Sequence, residues 1–350
     1  MKMPCLSCDI LTFTLIFMSI GIKYFISYLG KSTQIPQYLY ECGWTDERHI
    51  IGVVQPRRVA ATSVANRVAE ETGSYVGQLV GYAIRFENLV DDDLTKIKFM
   101  TDGYLLREMM SDPLLLKYSV IMIDEAHERT LSTDIALGLL KKIIRKRPDL
   151  RLVISSATLN AQEFKDFFEM RKMLNKKADT ATILSVEGRT YPVEVFFLQN
   201  PTPNYVKAAV ETVLSIHKSE PDGDVLVFLT GQDEVENAVQ MITDGLRELK
   251  KSAESLLVLP MYGGLPMSEQ MRVFQRTPSG KRKVVVSTNI AEASITINGI
   301  VYVVDCGFVK LKAYNADSGL ESLVIVPASQ ASSNQRSGRA GRVRSGNFYS

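Results

Sequence analysis

Four apolar residues, Val120 to Ile123, run directly into Asp124-Glu125-Ala126-His127. Two carboxylates and an imidazole at the end of a hydrophobic run can act on phosphate groups. A strand-end aspartate can hold a magnesium ion through its water shell, and the next glutamate can orient and polarise an attacking water. His127 then falls close to where a terminal phosphate would lie. A strand followed by a charged helix cap is the plainer reading, since acidic side chains are common where helices begin. The direct passage from four apolar residues to two acids and a histidine favours the chemical one.

Other stretches could serve the same chemistry. Gly30-Lys31-Ser32-Thr33 opens a helix-like stretch that continues to Cys42. In the phosphate-loop pattern G-x-x-x-x-G-K-[ST], the lysine reaches the β- and γ-phosphates and the hydroxyl binds magnesium. Backbone N–H groups at the helix start cradle the phosphates. The first glycine of that pattern would stand at position 25, which is Phe25, and Ile26, Tyr28 and Leu29 are bulky where the backbone must come close to a ligand. Near the other end, Gln335-Arg336-Ser337-Gly338-Arg339-Ala340-Gly341-Arg342 spaces three arginines three apart, a spacing that predicts one shared helical face. Such a face is either a basic solvated surface or a set of arginine fingers on transferred phosphate.

Five polar clusters recur: Gln55-Pro56-Arg57-Arg58, Thr101-Asp102-Gly103, Ser156-Ala157-Thr158, Thr230-Gly231-Gln232 and Ser287-Thr288-Asn289. Each alone is a cap or a turn. Five at successive strand ends predict a lined cleft suited to a phosphate backbone, which fixes position without reading sequence.

The elements that must position these residues are short, continuous apolar runs. Ile50–Val54, Ile97–Met100, Val120–Ile123 and Leu152–Ser155 read as strands buried on both faces, with helical stretches at Val59–Glu71 and Thr133–Lys146 between them. A second series has strands at Val193–Leu198, Val225–Leu229, Leu256–Pro260, Lys283–Ser287 and Ile300–Asp305. Its helices are expected at Asn204–Lys218, Glu234–Lys250 and Met267–Gln275. Strand–helix alternation predicts α/β architecture with two tandem parallel sheets, whose ligands bind at the carboxyl ends of the strands. The polar stretch Met170–Thr190 carries the junction, giving an expected division into 1–29, 30–180 and 181–350.

The 350 residues carry a net charge of only +2, so affinity for nucleic acid must come from local placement of Lys and Arg. Four cysteines in so long a chain form no disulfide framework, and Cys5-x-x-Cys8 lacks the second pair or the following βαβ unit that a metal or redox role requires. Ile10–Leu29 is apolar but for Lys23. Its uncharged part, Ile10–Ile22, is 13 residues long, short of the roughly 20 a spanning helix needs. A membrane tether and a buried replacement segment both remain open for it.

Taken in order, GKST, QPRRVAA, TDGYLLRE, DEAH, SAT, FLTGQ, STNIAEASITI and QRSGRAGR resemble the DEAH-box RNA helicases of superfamily 2, and look closest to the spliceosome-associated members. The resemblance covers Gly30 to Ser350 and implies two RecA-like domains that bind ATP and Mg²⁺ and act on RNA. It implies that Gly30, Lys31, Ser32 and Thr33 meet phosphate, with Ser32 and Asp124 serving the metal largely through water. By the same resemblance Asp124, Glu125 and His127, with Gln335, Arg339 and Arg342, form the catalytic set. Arg67 and Phe274 match an adenine-stacking pair. Arg57, Arg58, Thr101, Thr230 and Thr288 match positions near the RNA backbone, and Ser156 and Thr158 match the motif that couples hydrolysis to unwinding. A nuclear location, spliceosomal or other ribonucleoprotein partners and a role in pre-mRNA splicing are implied in the same way, with no obligatory membrane.

Two departures from the family stand out. The apolar Ile10–Leu29 replaces the glycine-rich half of the phosphate loop and the strand before it. The sequence also lacks the winged-helix, helical-bundle and OB-like domains that follow in the family, so it reads as truncated at both ends. These features leave a catalytically impaired form, binding RNA or partners without efficient ATP turnover, as the alternative expectation.

Overall fold

The computed structural model describes residues 11–18, 30–156, 161–170, 180–188, 191–248, 256–292, 297–317 and 319–350. They fall into two compact units, one within Ile10–Arg189 and one within Thr190–Ser350.

The first unit is built on eight strands: β1 (Leu11–Met18), β2 (Ile50–Gln55), β3 (Val80–Ile84), β4 (Glu87–Leu89), β5 (Ile97–Thr101), β6 (Tyr118–Ile123), β7 (Arg151–Ser156) and β8 (Ala181–Gly188). Their spatial order is β4-β3-β5-β2-β6-β7-β1-β8. From β3 to β7 the neighbours are parallel. Strands β2 and β5 are buried along their whole length, as continuous apolar runs between two helical layers should be. Helices α1 (Lys31–Glu41), α2 (Arg58–Glu71), α3 (Asp102–Ser111), α4 (Leu131–Lys146) and α5 (Ala161–Phe168) cover this sheet. Ile121, Ile123 and Ile154 meet Leu137 and Leu140 of α4 in the core, each side chain contributing about 1.5–3 kcal/mol by its burial. The Thr130 side chain caps α4 by accepting from the Thr133 N–H, and Arg145 and Lys146 sit in the last turn. Both ends of that helix therefore suit its dipole.

The apolar N-terminal stretch contributes a strand to this sheet. Strand β1 lies between β7 and β8 and runs antiparallel to both, with Thr14 opposite Ser156 and Phe17 opposite Val153. Its last residue, Met18, therefore sits toward the end of the sheet where the parallel strands begin. Helix α1 starts at the opposite end, where Ser32 meets Asp124 just beyond β6. In a phosphate loop one strand leads directly through the loop into the helix, and β1 does not stand in that relation to α1. Among the described residues no helix is long and apolar enough to cross a membrane.

The second unit has strands β9 (Val193–Phe196), β10 (Asp224–Phe228), β11 (Leu256–Met261), β12 (Arg282–Ser287), β13 (Ile300–Asp305), β14 (Phe308–Asn315), β15 (Leu320–Pro327) and β16 (Gly346–Tyr349). Six of these form a sheet in the order β11-β12-β10-β13-β16-β9, with every neighbouring pair parallel. Its helices are α6 (Tyr205–Ser219), α7 (Gln232–Glu248), α8 (Met267–Arg272) and α9 (Gln330–Ser337). Gly346 enters β16 where a Cβ would lie 2.3 Å from the Val301 carbonyl oxygen, so no side chain fits there. Strands β14 and β15 form a separate antiparallel ribbon on which Leu311, Tyr314, Leu320, Leu323 and Ile325 are exposed.

Candidate active site

Helix α1 begins at Gly30, whose φ of 147° is a conformation other residues rarely adopt. No side chain caps this helix start and its first turn holds no acid. Its leading N–H groups and positive dipole end thus suit an anion. The Thr33 and Gln34 N–H groups return to the Gly30 carbonyl at 3.0 and 2.6 Å, and the Thr33 hydroxyl donates to the same oxygen at 3.1 Å. Of the two hydroxyls in the motif, Ser32 is the one that reaches across the sheet, donating to Asp124 Oδ2.

Asp124 is 2% exposed. Its N–H continues the sheet to the Val54 carbonyl at 2.9 Å. Gln55 Nε2 donates to Oδ2 at 2.8 Å and the Glu125 N–H donates to Oδ1 at 3.0 Å. The carboxylate therefore gathers α1, β2 and β6 at one point. Glu125 and Arg129 flank a short 3₁₀ turn, Ala126–Glu128, and both take left-handed backbone angles, φ 51° and 48°. Each such residue costs about 1–2 kcal/mol, and the strain turns Glu125 away from the strand direction.

His127 Nε2 lies 3.3 Å from Glu125 Oε2, and both side chains are nearly buried. Burial pushes the His127 pKa below its ordinary value, and the nearby charges of Lys31 and Arg57 add to this, with Glu128 and Asp124 opposing. The neutral imidazole is thus the form beside Glu125 at neutral pH. Burial raises the Glu128 carboxyl, partly offset by Arg57, whose Nε donates to Glu128 Oε2 at 3.3 Å. Gln55 and Asp102 stand inside the polar clusters read from the sequence, whereas Glu128, just after His127, was given no role by type and spacing. Asp102 accepts from Thr130 Oγ1 at 2.6 Å, Thr133 Oγ1 at 3.1 Å and the Gly103 N–H at 2.7 Å. It thereby ties the end of β5 to the start of α4.

The residues matched to RNA divide by exposure. Arg58 is exposed and Arg57 partly so, both at the start of α2. Thr101 and Thr230 are each only 8% exposed. The Thr230 N–H and hydroxyl both go to Glu234 Oε2, at 3.0 and 2.8 Å. Thr101 closes β5, and Thr230 stands two residues after β10. Ser156 is buried at the end of β7, and Thr158 lies outside the described residues. Arg67, more than half exposed, pairs with Glu71 at 2.7 Å along α2.

In the second unit the arginine pattern departs from the predicted single helical face. Helix α9 ends at Ser337, so Arg339 and Arg342 belong to the turns after it. Arg336 is 1% exposed and locked inside: it bonds Glu292 Oε2 at 2.9 Å and Asp305 Oδ1 at 2.5 Å, with Phe228 beneath its guanidinium. It is a structural node. Arg339 donates to the Glu292 carbonyl, while Gln335 and Arg342 are partly exposed. Thr288 follows β12 with its N–H on the Met261 carbonyl at 3.1 Å. Phe274, half-buried, follows α8.

Two parallel α/β units, each with its motif residues at the carboxyl ends of the strands, are units of the RecA-like helicase type. A model of the helicase conserved C-terminal domain matches residues 207–344. The chain is 62% identical over 322 residues to a Homo sapiens protein described as Probable ATP-dependent RNA helicase DHX35, covering 91% of this chain and 46% of that relative. The Pongo abelii protein of the same description is 61% identical, with 91% of this chain and 45% of the relative covered. A Caenorhabditis elegans homolog is 58% identical, with 91% and 43% covered. Over most of its length the chain is thus similar to proteins described as ATP-dependent RNA helicases, and it spans about half the length of the curated relatives it matches.

Proposed function

We propose that this chain acts as an ATP-dependent RNA helicase, coupling ATP hydrolysis to RNA unwinding or to the remodelling of RNA–protein complexes. The observation that carries this reading is the meeting of Ser32, Gln55 and Asp124 at the uncapped start of α1. A hydroxyl and a carboxylate there form the oxygen donor set of a hard divalent ion. The pair fits magnesium, which when bound supplies charge neutralisation on the phosphates. Gly30, Lys31 and the first N–H groups of α1 bind the phosphates. Glu125 orients the attacking water and accepts its proton, and neutral His127 holds the Glu125 carboxylate in place. In the second unit Gln335, Arg339 and Arg342 carry the phosphate-facing role. Arg67 and Phe274 are assigned to adenine, Arg57, Arg58, Thr101, Thr230 and Thr288 to the RNA backbone, and Ser156 and Thr158 to coupling.

The test is RNA-stimulated ATP turnover by this chain beside Lys31→Ala and Glu125→Gln. Turnover well above both variants is expected; equal background rates in all three reject the reading. A nuclear role in pre-mRNA splicing completes it, and recovery of spliceosomal small nuclear RNA with the tagged chain is the result expected.

The antiparallel course of β1 favours a second reading. Without a strand feeding the loop, the chain binds RNA or partner proteins with little ATP turnover. Direct nucleotide titration separates the two, because tight ATP binding removes the second.

A further inference from the structure

Lys283 opens the apolar run of β12, yet its side chain is 1% exposed. A buried lysine amine needs acceptors, and this one has two from a single short segment. Nζ donates to the Val273 carbonyl at 2.9 Å and to the Gln275 carbonyl at 2.9 Å. These are the residues on either side of Phe274. Whether charged or neutral, the amine has two N–H groups for the two carbonyls.

Asp224, at the start of β10, secures the same arrangement from behind. Its Oδ1 accepts from the Lys283 N–H at 2.8 Å, its Oδ2 accepts from Thr277 Oγ1 at 2.5 Å, and the Lys283 amine lies 3.9 Å from Oδ2. Gly299 lets the carboxylate approach, since a Cβ there would lie 2.5 Å from Oδ2. Val273 is fully buried while Phe274 is half-buried. The segment is therefore gripped at 273, 275 and 277 by side chains from two strands. None of the residues doing the gripping belongs to a motif.

We infer that Lys283, backed by Asp224 and Thr277, is a positioning residue that fixes the Phe274 ring for the nucleotide base. The inference rests on the assignment of Phe274 to adenine made above. A ring held by two backbone anchors loses little freedom when a base stacks on it, so the full stacking energy appears as affinity. With the amine removed, two buried carbonyls lose their donor, the segment relaxes and the ring must be ordered by the ligand.

The experiment titrates the full chain and its variants with ATP and with ribose 5′-triphosphate, which lacks the base. Phe274→Ala is expected to weaken ATP binding about tenfold, from the loss of one base–aromatic stack, and to leave ribose triphosphate unchanged. Lys283→Met is expected to do the same to nearly the same extent. Their double variant is expected to lose no more than either alone, because one acts through the other. Thr277→Val, which leaves the buried amine in place, is expected to weaken ATP severalfold and guards against misfolding of Lys283→Met. A Phe274 effect without any effect of Lys283→Met or Thr277→Val overturns the clamp alone. So does equal weakening of both ligands, or full additivity in the double variant. If Phe274→Ala changes nothing, the adenine assignment falls and the clamp falls with it.

Discussion

The two sheets are built from similar sequence patterns but end differently. In the second unit all six strands of the main sheet run the same way, and a buried arginine locks the end of β13. In the first unit the parallel run stops at β7, and the next place is filled by β1 in the opposite sense. The difference shows that apolar content fills a place in a sheet, whereas direction depends on how the chain enters and leaves it. A phosphate loop needs both, because only a strand finishing at the carboxyl edge delivers its loop to the start of α1.

The comparison is broken most strongly at the second sheet. Arg336→Ala leaves Glu292 and Asp305 buried without their cation, which should cost about 3–5 kcal/mol. Trp44, the one tryptophan of the chain, lies in the first unit. Circular dichroism should therefore show an early transition that tryptophan fluorescence does not follow; a joint shift would mean that the two units do not melt separately. A smaller effect is expected at the reversed strand. Leu15→Pro removes a ladder donor from a strand paired on both sides, at about 1–3 kcal/mol. Urea unfolding read by Trp44 fluorescence should move accordingly, and an unmoved midpoint would exclude β1 from the sheet interior.

Two finer changes sharpen the picture at the candidate active site. Arg57→Ala removes the guanidinium that faces the buried Glu128 carboxylate. With Arg57 partly exposed, about 1 kcal/mol is expected, and Glu128→Gln in the same background should recover most of it in thermal melts. The smallest effect concerns acid. Burial places the His127 pKa below its ordinary 6.5, so the unfolded chain takes up this proton first. The stability from the neutral ring is complete above about pH 6.5 and is lost as pH falls from there through the lowered value. His127→Gln should lose less stability than the parent on going from neutral pH to about pH 5; an equal loss would remove His127 from the account.

Much of this was legible because burial on both faces writes continuous apolar runs. Val120–Ile123 and Lys283–Ser287 announce strands, and Asp124 and Thr288 follow strands because those runs stop. Other elements leave weaker traces. Val80–Ile84 is interrupted by Gly81 and Tyr82. The β14–β15 ribbon is exposed along most of its length, so neither face carries an apolar period. Ile10–Leu29 was legible as apolar, but strand direction has no local code. The arginine spacing from 336 to 342 mimicked one helical face, yet the helix ends at Ser337 and burial separates Arg336 from the other two. Lys283 reads as the polar edge of a strand; only the fold shows its amine turned onto the carbonyls around Phe274.

The position of β1 also sets an order of events during synthesis. It leaves the ribosome well before its partners, β7 at Arg151–Ser156 and β8 at Ala181–Gly188. Strands β2 to β7 can pair progressively as they emerge, while an apolar segment made long before waits for the end of the unit. Such long-range pairing is slow, and it leaves sticky surface exposed in the interval. Yield in the cell should therefore depend on chaperones that hold the N-terminal stretch until β8 has been made.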